Sequence, residues 1–292
     1  MLDQKQLKEN SEFLDSMGNL CVAYEQISVM KMKKIKDAVL YTRSFYDELA
    51  GVYYQVKTTY RDQVKQLVKK KKIKDPQKLL LMGKNDRSVA ILLSANNRLY
   101  GDILNKVFYK FIAETKDQNV DLVVVGRLAK EMLAEYNLKR SYTYFEIPDI
   151  DLTVEDLKPV INMIIPYSKI NVFYGRYDSF FSQLAINRNI SGDVEAENGT
   201  GLSEQKFYYF EPNLKKILLF FETQIFSNLF KQTAYDGQLA RYASRISAMD
   251  TALGVIEKEA RYTTAMRIKA HNNLVERRQN ERVAQSLLRR VN

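Results

Sequence analysis

Four groups of side chains in this chain have residue types that could do chemistry. The stretch "GRLAKEM" (126–132) offers Gly126 and Lys130 as parts of a phosphate loop, in which glycine amides cradle the phosphate and lysine meets its charge. It lacks the glycine spacing and the Ser/Thr that would hold magnesium, so an ordinary strand-to-helix turn is expected there. His271 is the sole histidine. Any Ser-His-Asp triad would have to use it, yet it sits among arginines near the chain end and reads as a surface or seam residue. Cys21 is the only cysteine, so no intrachain disulfide and no His/Cys metal cage can form, and a reducing cytoplasm fits. Asp149/Asp151 and Glu155/Asp156 fall near a helix start, where capping accounts for them. No catalytic constellation emerges, and no cofactor or metal is expected.

Charge points to a binding partner instead. The chain has 292 residues and a formal net charge of +10, which suits an acidic partner: nucleic acid, an anionic membrane surface or an acidic protein. Six lysines crowd residues 65–74, and the tail from Glu257 carries nine Lys/Arg against four Glu. No nucleic-acid motif accompanies these clusters and aromatics are not interleaved with them, which disfavours a basic coiled-coil nucleic-acid binder. No window of about 18 apolar residues exists, so no membrane span is expected. The polar start "MLDQKQLKENSEFL" lacks the apolar run of a secretory signal.

The elements that carry these residues follow from hydrophobic spacing. Residues 3 to 74 read as one long helix, free of proline, with Leu7, Leu14, Met17, Cys21, Tyr24 and Ile27 at helical intervals. The middle alternates short apolar runs with helical patterns. "SVAILLS" (88–94), "VDLVVV" (120–125) and "INVFYGRYDSFFSQLA" (170–185) read as strands, and a capped helix begins near Thr153. Such alternation implies a parallel or mixed sheet with crossover helices. From Pro212 onward the helical signal returns. In "LARYASRISAMDTALGVIEK" (239–258), Leu239, Tyr242, Ile246, Met249, Leu253 and Ile256 step by alternating threes and fours, the seam of a coiled coil. It continues through Ala260, Thr263, Arg267, Ala270 and Leu274. The cheapest mate is the N-terminal helix around Tyr24 and Ile27, returned antiparallel by the insert. Three regions are expected: an N-terminal coiled-coil helix over 1–75, an α/β domain over 76–210 with an exposed loop at 190–205, and a C-terminal coiled-coil helix over 211–292.

These pieces resemble the gamma subunit, the central rotor shaft of F-type ATP synthases and related rotary ATPases. "ARYASRISAMDTA" is similar to the family's S-E-h-a-x-R-M-x-A-M-x-x-A through Ala243, Arg245, Ala248, Met249 and Ala252. "FYYFEPNLKKIL" resembles Y-x-x-E-P-x-x-x-x-L, and "AYEQISVMKMKKI" matches the family's N-terminal motif at Ala23, Lys31, Met32, Lys33 and Lys34. The family's glycine-rich turn has become "NNRLYGDIL", Tyr24 replaces a methionine, and Ala240–Arg241 replaces Ser-Glu, reversing a charge. Toward the end, either Arg278–Gln279 or His271–Asn272 aligns with the family's tail motif.

The resemblance implies an antiparallel coiled-coil rod with a central Rossmann-like α/β knob. It implies a shaft standing in a hexameric head of alternating alpha- and beta-type nucleotide-binding subunits, with an epsilon-type stalk subunit and a membrane rotor ring below. The shaft is implied to do no chemistry, and to work in the cytoplasm, peripheral to the inner face of the cell membrane. Candidate contacts with the head are Tyr24, Lys31, Lys33, Lys34, Arg241, Arg245, Arg278 and Gln279. Leu287, Leu288, Arg289, Arg290 and Val291 are candidates for the bearing tip. Two outputs stay open: an ordinary ion-coupled synthase, or a specialised ATPase whose rotation drives something else, such as gliding motility.

Overall fold

The computed structural model describes residues 4–59, 85–179, 182–190 and 214–291. The expected loop at 190–205, Pro212 and the lysine run at 65–74 lie outside these, apart from Ile190. The chain divides into two compact units, one of Met1–Met30 with Arg245–Asn292, the other of Lys31–Ser244.

The first unit pairs the start of α1 (Gln4–Thr59) with the end of α5 (Leu214–Val291). The pairing is antiparallel: the Arg245 guanidinium lies over the Tyr24 ring, while Gly18 faces Ile256. On α1 the buried residues Leu7, Cys21 and Ser28 fall in one heptad register. Ser28 rather than Ile27 is therefore the inward residue, and its hydroxyl is satisfied by the Tyr24 carbonyl at 2.6 Å. On α5 the seam runs through Met249, Leu253, Ile256, Ala260 and Thr263 as spaced in the sequence, then departs from it. Met266 and Asn273 turn inward, leaving Arg267 and Leu274 exposed. Burying Arg267 would strand a guanidinium without a partner, so its apolar neighbour takes the position. Every described side chain from Leu274 to Gln285 is exposed.

The second unit is built on a five-stranded sheet in the order β3-β2-β1-β4-β5. The strands are β1 (Asn85–Leu93), β2 (Asp121–Val125), β3 (Tyr142–Phe145), β4 (Tyr167–Tyr177) and β5 (Gln183–Asn189). All pairs are parallel except β4–β5. The crossover helices are α2 (Ile103–Thr115), α3 (Arg127–Glu135) and α4 (Val154–Ile164). Thr153 caps α4 in a reciprocal box with Asp156.

A parallel sheet must be covered on both faces, and the buried stretches of its central strands, residues 89–93 of β1 and 122–125 of β2, are accordingly apolar. On one face Val89, Ile91, Val123 and Val172 join Val160 and Ile164 of α4 and Phe226 and Phe230 of α5 in a single core. On the other, Phe111 of α2 meets Phe173 edge to face at 5.3 Å. The single strand expected over 170–185 is two, β4 and β5, and β3 is not anticipated by the sequence pattern. Both β3 and β5 are edges with half-exposed residues, where alternation is blurred.

Lower on the helices, Tyr53 of α1 donates to the buried Glu222 carboxylate of α5 at 3.0 Å. Burial, then the adjacent carboxylate, pushes the Tyr53 phenol well above its ordinary pKa. The stability this group contributes is complete below pH 10.0, its unfolded value, and declines as pH rises beyond.

Candidate functional site: the joint between α5 and the sheet

In an open sheet with this strand order, ligands bind outside the carboxyl ends of the strands where the order reverses, here between β1 and β4. That crevice is filled by the protein itself. Gly175 on β4 approaches Ala240 so closely that an added Cβ would lie 3.3 Å from the alanine's. Arg241 Nη1 donates to the carbonyl of Ser94, just past β1, at 2.8 Å. Gln238 Nε2 and the Tyr242 hydroxyl both reach the Asp149 carbonyl, at 3.1 and 3.3 Å.

The loop after β1, where a dinucleotide fold carries its phosphate-binding glycines, is closed off as well. The backbone amides of Asn96 and Asn97 donate to the buried Asp149 carboxylate at 3.0 Å, as does Asn97 Nδ2. An internal anion thus holds the amides that could face a phosphate. Asp149 is therefore a loop clamp, and the capping role expected of it falls to Thr153 and Asp156. The "GRLAKEM" turn behaves as expected: Gly126, at φ +98, passes against the Ala95 backbone. Among the described residues no group of three or more His, Cys, Asp and Glu could hold a metal ion, and no described helix is long and apolar enough to cross a membrane.

The residues proposed for head contact separate into inward and outward sets. Arg241 is 8% exposed and lies 5.8 Å from the Tyr100 ring centroid, so its guanidinium is committed to contacts within the chain. The charge reversal read from the sequence at this position thus falls on a buried side chain. Arg245 is also buried, over the half-buried Tyr24 ring at 5.5 Å. Lys31 and Lys34 both reach Asp151, at 3.3 and 2.6 Å, joining α1 to the loop before α4. Lys33, Arg278 and Gln279 are exposed. Leu287, Leu288, Arg289, Arg290 and Val291 continue α5, but their side chains lie outside the described residues.

The lysine ammonium groups, Lys34 before Lys31, hold the Asp151 carboxyl below its usual pKa of 3.8. The tie is complete above that value and is lost as pH falls below it. Because the group is exposed, salt screens the tie. Asp151→Asn should make the melting temperature of the chain less sensitive to sodium chloride at pH 7 and match wild type at pH 2. An unchanged salt response would show that the pair contributes nothing.

Two long helices flanking an α/β unit in the chain, with one of them seated in that unit's crevice between β1 and β4, define the class of fold. A family model described as ATP synthase matches residues 4–265. The gamma chain of Elusimicrobium minutum is 24% identical over 267 residues, covering 85% of this chain and 86% of that one. The gamma chain of Christiangramia forsetii is 22% identical over 265 residues, covering 86% of each. Among solved structures, a chain of the central stalk and c-ring of Tetrahymena thermophila mitochondrial ATP synthase aligns with a TM-score of 0.57 at 14% identity, over 80% of this chain and 99% of that one. A chain of the Euglena gracilis OSCP/F1/c-ring assembly aligns with a TM-score of 0.52 at 13% identity, over 87% and 93%. The chain belongs to the ATP synthase gamma family, whose members are components of that complex.

Proposed function

We propose that this chain is the central-stalk rotor of an F-type ATPase, passing torque between a nucleotide-binding hexamer and a driven partner while doing no chemistry itself. The observation that supports this most directly is an uncovered apolar stripe on α1. Phe13, Leu20 and Ile27 recur every seven residues, one position ahead of the buried heptad line, and Met30 extends them; all are 43–64% exposed. A soluble helix seldom leaves such a stripe in water, and an enclosing sleeve of alpha- and beta-type subunits would cover it. Lys33, Arg278 and Gln279 are the outward residues offered to that head. The continuation of α5 through Leu287, Leu288, Arg289, Arg290 and Val291 supplies the bearing tip. By likeness to the stalk assemblies, an epsilon-type subunit and a membrane rotor ring are the partners below, with the complex at the inner face of the cell membrane.

Purification of the tagged chain from its native cells tests this. It should bring down two abundant phosphate-loop subunits in a complex that hydrolyses ATP. Recovery of the chain alone, or with nucleic acid, would overturn the assignment.

A further inference from the structure

One turn of α5 places three donors, Gln238, Arg241 and Tyr242, on the same side of the helix, and each ends on a backbone carbonyl of the sheet unit. Carbonyl acceptors cannot swing away as side chains do. Ser94 is especially fixed, because its own N–H continues the sheet ladder to Val125 at 2.9 Å. The apolar contacts between α5 and the sheet are non-directional and would let the helix roll, whereas hydrogen bonds resist rotation.

Arg241 differs from its two neighbours. It is a buried cation, its acceptor is the neutral Ser94 carbonyl, and among the described residues no carboxylate pairs with it. Its guanidinium is held along one edge by that carbonyl, while the ring of buried Tyr100 lies 5.8 Å away. Tyr100 is itself braced edge to face by Tyr242 at 6.0 Å. A planar fork fixed at its edge and flanked by a ring resists rolling in both directions, which an ammonium could not do.

From this geometry we infer that Arg241 is a positioning residue that sets the rotational register of α5 on the sheet, so that twist in the helix is delivered to the α/β unit. The inference rests on the rotor reading above. It is tested in the assembled ATPase by attaching a gold rod to a cysteine at Tyr109→Cys, an exposed site on α2, with buried Cys21 left in place. The quantity read is the angular variance of the rod during pauses between steps. Arg241→Met should raise that variance about 1.5-fold, as when one of three comparable bonds at a joint is removed. Arg241→Lys, which keeps the charge but loses the fork, should fall between Arg241→Met and wild type, and it gives the same reading if Arg241→Met does not assemble. A purely structural role would lower the denaturation midpoint and leave the variance alone. Wild-type variance in both variants therefore overturns the inference. A wild-type complex that hydrolyses ATP without turning would instead overturn the rotor reading beneath it.

Discussion

Replacing Gly101 with alanine should destabilise the Lys31–Ser244 unit by about 3 kcal/mol or more. Two costs combine. Gly101 has φ +62, a conformation that side-chain-bearing residues adopt with strain. An added Cβ would also meet Ser244, overlapping its hydroxyl and lying 2.8 Å from its backbone carbonyl. The hydroxyl can rotate away, but the carbonyl belongs to α5 and cannot. Gly101→Ala combined with Ser244→Ala should therefore recover only part of the loss. The chain has no tryptophan, so far-ultraviolet circular dichroism under urea is the global readout. Because two units need not unfold together, hydrogen exchange of the β1 and β4 amides supplies the local one. Wild-type protection of those amides in the single variant would refute the packing described for this turn.

The second large effect lies in the sheet core. Phe230 of α5 is fully buried in the core that also holds Val172 and Tyr174 of β4 and Val160 and Ile164 of α4. Phe230→Ala should cost about 3–5 kcal/mol through lost burial and the cavity left behind. Phe230→Leu should recover most of it, since the volume changes less. Phe220, ten residues earlier on the same helix and 59% exposed, is the control. Its alanine variant should stay within about 0.5 kcal/mol of wild type. Equal losses at the two positions would mean that α5 does not use Phe230 to cover the sheet.

These two sites differ in how far the sequence announces them. Phe230 belongs to a helical pattern legible from spacing alone, although its target, the β1–β4 face, is not. Gly101 stands in the turn "NNRLYGDIL", which reads as the degraded remnant of a glycine-rich motif. Only the fold shows that its glycine survives because α5 passes against it. Asp149 is similar: a carboxylate near a helix start suggests a cap, but the adjacent loop offers it two unpaired amides and takes it instead.

The sequence by itself determined the order of helix, α/β unit and helix, the antiparallel seam from Met249 to Thr263, the β1 and β2 strands and the Thr153 cap. Each of these is written in residues a few positions apart, at the period of a helix or strand. The tertiary structure alone decided that Arg241 faces inward, that Asp149 clamps a loop, and that Met266 rather than Arg267 enters the seam. The Arg241–Ser94 bond joins residues 147 positions apart, and the Asp149 bonds span 52 and 53. No local period encodes such partners. They are set by which buried carbonyl or amide would otherwise go unsatisfied once the sheet and α5 have packed.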